Sequence, residues 1–183
     1  MRKNDIVSLQ KRDHTRLLEL MSRYEGAGQV ARKALYVDIV QLVTTHAFGE
    51  EAVLFPTARW TLPNGEALTA AIEARHQKVN DLMKELDHVA PGEAPFEQRV
   101  TAVFELLRED LTIEEEYLLP ALAERLGHRG LSVVGRLWLA IRRTAPNRPH
   151  PRVSRRPPGN VLAALPLAIY DRLRRSFERA SWG

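Results

Sequence analysis

Apolar residues recur every three or four positions through most of the first 126 residues, the spacing of one face of an α-helix. Ile6, Leu9, Leu17, Leu18 and Met21 predict a first helix over 4–25, which Gly26 and Gly28 close. Ala34, Leu35, Val37, Ile39, Val40, Leu42 and Val43 predict a second over 29–54. Phe55-Pro56 follows it, and Thr61-Leu62-Pro63-Asn64-Gly65 breaks the chain. Leu68, Ile72, Val79, Leu82, Met83 and Leu86 predict a third helix over 66–88, ended by the loop from Ala90 to Pro95. The fourth, over 96–126, carries Val100, Val103, Leu106, Leu107, Leu111 and the Tyr117-Leu118-Leu119 cluster. Pro120 bends it or opens a final turn, because proline has no N–H for the helix ladder. No strand-like alternation interrupts residues 1–127. Four such helices with short connections predict an all-α fold, an antiparallel up-down-up-down four-helix bundle.

The pattern changes after Gly127. Residues 131–143 read as a short basic amphipathic helix, and 144–159 hold five prolines and four arginines, an extended linker that builds no core. Residues 160–181 read as a last helix, with Leu162, Leu165, Ile169, Leu173 and Phe177 on one side and Arg172, Arg174, Arg175 and Arg179 on the other. The predicted domains are therefore a bundle over 1–127 and a basic C-terminal extension over 128–183. Charge sharpens the division: the chain of 183 residues carries a net +4, yet residues 128–183 hold twelve arginines, no lysine and two acidic residues. The extension suits a protein partner, an anionic membrane surface or the acidic bundle itself. No motif for reading bases accompanies the arginines, which ranks nucleic acid below those partners.

The chain has no cysteine, which removes disulfides, thiolate metal sites and a cysteine nucleophile. The first residues lack the apolar run of a secretory signal, and no stretch reaches the roughly 18 apolar residues of a membrane span. A cytoplasmic protein, peripheral to a membrane at most, is expected. Any metal must be held by His, Asp or Glu.

Such residues fall in a repeat. His46-Ala-Phe-Gly-Glu50-Glu-Ala-Val-Leu-Phe-Pro56 is echoed by Asp110-Leu-Thr-Ile-Glu114-Glu-Glu-Tyr-Leu-Leu-Pro120, displaced by 64 residues. In each copy a potential ligand precedes a Glu by four residues, about one helical turn, so both point to the same side. His14 and His76 lie near the inward stripes of the first and third helices, displaced by 62. Each helix thus offers at least one donor: His14; His46 and Glu50; His76; Asp110 and Glu114. Imidazole and carboxylate suit iron, manganese or zinc. Two bridging carboxylates would let two cations sit about 3.5–4 Å apart despite their repulsion. His88, His128 and His150 fall at a helix end, a boundary and the linker, and are set aside. Tyr117, three residues beyond Glu114, belongs either to the core or near the site.

Asp13-His14, His46-x-x-x-Glu50 with Leu54-Phe55-Pro56, Arg75-His76, and Asp110-x-x-x-Glu114 with Leu118-Leu119-Pro120 resemble the hemerythrin-like (HHE cation-binding) family over residues 4–126. The resemblance implies a bundle around a non-haem di-iron centre, with His14, His46, His76, Glu50 and Glu114 as ligands and the two glutamates bridging. It also implies a protein that binds or reacts with O2, peroxide or nitric oxide. The family's pattern calls for histidine where this chain has Asp110. Aspartate can ligate a hard cation directly; if it does not, one iron rather than two remains. The alternative is a degenerate-site bundle, a binding, scaffold or redox-sensor module whose basic tail docks a partner or an anionic membrane. The sequence leaves open whether the site turns over substrate.

Overall fold

The computed structural model describes residues 4–86, 89 and 92–145. The linker from 146 onward, the helix expected over 160–181, and His88 and His150 lie outside the described residues. The first rod is α1 (Ile6–Glu25), capped at its start by the Asp5 carboxylate, which accepts from the Ser8 N–H at 2.9 Å. The second begins as α2 (Gln29–Gly49) and continues through a π-helical turn (Glu50–Leu54) into α3 (Phe55–Thr61). The third is α4 (Gly65–Leu86). The fourth begins as α5 (Ala94–Ile113), passes through a second π-helical turn (Glu114–Leu118) and continues as α6 (Leu119–Arg142). The four rods form the bundle predicted from periodicity. α1 packs on α2 and α6, and α4 packs on α3 and α5.

The two π turns follow from the two prolines. Pro56 and Pro120 lack the N–H that would close an α-turn, and each ring crowds the carbonyl four residues earlier. Widening the preceding turn relieves that crowding. The Phe55 N–H accordingly donates to the Glu50 carbonyl, and the Leu119 N–H to the Glu114 carbonyl, each five residues back. The rods therefore run straight through Leu-Phe-Pro and Leu-Leu-Pro.

The core is divided in two. One apolar layer holds Leu17, Met21, Ile39, Val43, Val79, Met83, Val103 and Phe104. The other holds Ile6, Leu9, Leu54, Phe55, Ile72, Leu118, Leu122 and Trp138. Every rod crosses from one layer to the other, and the buried polar residues sit at the crossing.

The fourth rod is longer than its periodicity indicates. At Gly127 the backbone turns to φ 58°, a left-handed value that glycine adopts freely, and the chain resumes helix to Arg142. This second half of α6 buries Leu131, Val134 and Trp138 in the second apolar layer, so the helix read over 131–143 lies against the bundle. Among the described residues no helix is long and apolar enough to cross a membrane.

Candidate metal centre

Between the apolar layers, all four rods place polar side chains on one pocket. His14 comes from α1 and His46 from the last turn of α2. His76 comes from α4 and Asp110 from α5, and Glu50 and Glu114 each open a π turn. The structure brings all six sequence-predicted residues together, each 7% exposed or less.

Their donor atoms fall into two groups that share a carboxylate. His14, His46, Glu50 and Glu114 offer donor atoms within 4.8 Å of one another, and so do His76, Asp110 and Glu114. Glu50 also faces both ways. One oxygen lies 3.2 Å from Nε2 of His46, the other 3.5 Å from Nε2 of His76. Glu114 has one oxygen 3.2 Å from Nε2 of His14 and the other 3.9 Å from Nε2 of His76. Asp110 lies 3.1 Å from Nε2 of His76.

These atoms crowd together as close imidazole–carboxylate pairs, and several of them lack a well-aligned hydrogen bond. Nε2 of His14 and His46, both oxygens of Glu50, Oδ1 of Asp110 and Oε2 of Glu114 are buried with no hydrogen-bond partner. A buried polar atom without a partner costs about 1–3 kcal/mol. Six such atoms converging on one pocket require an explanation. A bound metal cation is one that fits their chemistry and arrangement.

Each imidazole is held from its far side. Nδ1 of His14 lies 2.7 Å from Glu115, Nδ1 of His76 2.9 Å from Glu51, and Nδ1 of His46 3.3 Å from Asp13. An Nδ1–H donated to a carboxylate leaves Nε2 as the lone-pair nitrogen aimed inward, the usual second layer of a metal site. The arrangement crosses between the repeats: Glu51 of the first supports His76 of the second, and Glu115 of the second supports His14 of the first. Sequence reading missed Glu51 and Glu115, although each directly follows a candidate ligand at the same displacement of 64. Tyr117 belongs to neither core nor site; it is 60% exposed.

Without metal the pocket balances its charges with protons. Burial works against a charged His46 ring, but Glu50, Asp13 and Glu114 outweigh it and raise the group to about 10. His76 is raised in the same way, against burial, by Asp110 and Glu51. Glu50 is held down at about 2 despite its burial, by His46, His76 and His14. Burial and the Glu50 and Asp110 carboxylates push Glu114 up to about 7, against the pull of His14.

A small cavity of about 20 Å³ opens beside the donors, lined by Leu17, Val43, Val79, Leu107 and Leu111 on its apolar side. That is slightly more than the ~10–15 Å³ needed for a single water.

Comparison with known proteins gives the family and the fold. The model of the hemerythrin HHE cation-binding domain matches residues 5–122. A hemerythrin-like protein of Schizosaccharomyces pombe, described as uncharacterized, is 22% identical over 135 residues, 73% of this chain. The chain spans 66% of that relative's length. A hemerythrin HHE cation-binding domain-containing protein from Mycobacterium kansasii has a crystal structure of the same fold. The TM-score is 0.66 at 20% identity, over 76% of this chain and 85% of that one. With more than half of the chain matched, and its buried His/Glu cluster seated where the rods converge, this protein is a member of the hemerythrin HHE cation-binding family.

Proposed function

We propose that the pocket holds two iron ions and that the protein binds or reacts with O2, peroxide or nitric oxide there. The observation that carries this reading is the pair of buried donor groups that converge on one pocket and are joined through Glu50 and Glu114. His14 and His46 would hold one ion, His76 and Asp110 the other, and the two glutamates would span both. Iron in such a site supplies a redox-active Lewis acid with room for a small ligand.

The chain's own residues define what that site admits. The three imidazoles are oriented by Glu115, Asp13 and Glu51, so Nε2 is presented without rotation of the rings. Apolar layers on both sides exclude bulk water, which strengthens every charge interaction inside. The cavity beside the donors, about 20 Å³, is of a size for a small ligand. Three carboxylates among six donors give the pocket a hard, anionic character, which suits an oxidised cation. The degenerate-site alternative is disfavoured by Asp110 itself, which is 3% exposed and whose Oδ1 points into the pocket without a partner.

The test is metal analysis of protein purified from iron-replete cells, followed by anaerobic addition of nitric oxide. The reading expects about two irons per chain and a visible absorbance change with nitric oxide. A folded protein that arrives metal-free and takes up no iron(II) would sink it.

A further inference from the structure

The family match stops at residue 122, and the repeat stops earlier. In the first half the rod ends at Thr61, whereas in the second α6 continues to Arg142. The added length returns to the metal centre. Two close approaches seat it. A Cβ at Gly135 would stand 2.4 Å from the Asn4 carbonyl oxygen, and one at Gly49 would stand 2.4 Å from Nε1 of Trp138. Neither approach is open to a larger residue. With the helix so placed, Trp138 is fully buried and its ring lies edge-on to His46 at 5.9 Å. One turn later, the Arg142 guanidinium lies over the indole at 4.3 Å and reaches Oδ2 of Asp13 at 2.6 Å. Its other terminal nitrogen donates to the Thr45 hydroxyl at 3.3 Å. The oxygen of Asp13 that meets Arg142 is the one that faces Nδ1 of His46.

His46 needs this help more than its counterparts. Its contact to Asp13, at 3.3 Å, is the longest of the three imidazole–carboxylate contacts. The counterpart of His46 in the second repeat is Asp110, which has no ring to orient. The position matching Asp13 is there Arg75, which donates to the Ala71 carbonyl instead. The asymmetry of the ligands is therefore matched by an asymmetry of their supports.

We propose that the second half of α6 is a built-in outer wall of the metal centre, in which Arg142 is a positioning residue that anchors Asp13 against His46 while Trp138 seals that ring from water. The ligand role of His46 rests on the di-iron reading above; the clamp on its ring does not. The test compares full-length wild type, Arg142→Gln, Arg142→Lys and, as a comparator, Arg32→Gln. The comparator breaks an ion pair with Glu97, 2.9 Å long, that touches no candidate ligand. Iron(II) is titrated anaerobically against a chelator. In Arg142→Gln one of two irons should weaken by about 10–100-fold, the range for loss of an outer support, and the other should change little. Arg142→Lys should recover part of the loss, and Arg32→Gln should bind both as wild type does. In the metal-free protein, the His46 Nδ1–H resonance should be slow to exchange in wild type and lost to exchange in Arg142→Gln. Equal weakening of both irons, or wild-type affinity for both, overturns the proposal. If wild type binds fewer than two irons, the di-iron reading fails instead. The resonance then decides: its loss in Arg142→Gln upholds the clamp and its persistence overturns it.

Discussion

Glu51 and Glu115 hold equivalent imidazoles from equivalent places, and replacing each with glutamine should separate distance from burial. By distance alone Glu115 is the stronger partner, at 2.7 Å from His14 against 2.9 Å for Glu51 and His76. By burial the order reverses: the Glu51 side chain is 5% exposed and that of Glu115 37%. Glutamine preserves shape and an accepting oxygen but removes the charge. A hydrogen bond to a charged group is worth about 1.5–3 kcal/mol net, and a neutral one about 0.5–1.5. For Glu51, shielded from water, the difference is about 1.4 kcal/mol, or roughly tenfold in affinity for metal at His76. For Glu115, solvent screening should leave about 0.5 kcal/mol, or roughly two- to threefold at His14. Burial should win, because two tenths of an ångström at this range changes a Coulomb energy by less than about a tenth whereas the local dielectric changes it severalfold. Chelator competition with iron(II) under anaerobic conditions measures both variants, with circular dichroism to verify folding. A greater loss in E115Q than in E51Q would refute this reasoning.

Replacing Gly49 with alanine should lower stability despite the better helix former. The ~1 kcal/mol gained in propensity is outweighed by ~2–3 kcal/mol of overpacking, the upper part of the usual range, because the added Cβ would stand well inside contact distance of the fully buried Trp138 ring. The melting temperature should fall by roughly 2–8 °C; an unchanged or higher value contradicts the packing described. Iron(II) uptake should release protons, since His46, raised to about 10, and His76, also raised, carry protons at pH 7 that a ligand nitrogen must lose. Apparent affinity should thus tighten as pH rises from 6 to 8, and a weakly buffered solution that shows no acidification on iron addition counts against it. Tyr24, raised to about 12 by burial and by the charge and hydrogen bond of Glu97, should ionise well above the ordinary 10.0 in an absorbance titration. Its folded value lies above the ordinary 10.0, so the stability it contributes is whole below pH 10 and fades as pH climbs toward 12. Tyr24→Phe should remove that late step.

Periodicity alone determined the four rods, because apolar residues spaced three and four apart have only one face to bury. The repeat determined four of the six candidate ligands, because residues four apart share a side and the same pair recurs 64 positions on, and the inward stripes of the first and third helices supplied His14 and His76. Helical spacing could not show that the chain passes straight through Pro56 and Pro120. Proline predicts a break, and only the widened turns, supported by the neighbouring rods, carry the helix on. Glu51 and Glu115 are, in the sequence, only further acidic residues beside Glu50 and Glu114. The imidazole that each one meets comes from the other repeat, a contact between residues 25 and 101 positions apart that no local pattern encodes. Trp138 and Arg142 belong to a segment whose arginines look like those of an independent basic tail. What places them on His46 is the turn at Gly127 and the two glycine-sized gaps at Gly49 and Gly135, and such gaps exist only between surfaces already brought together.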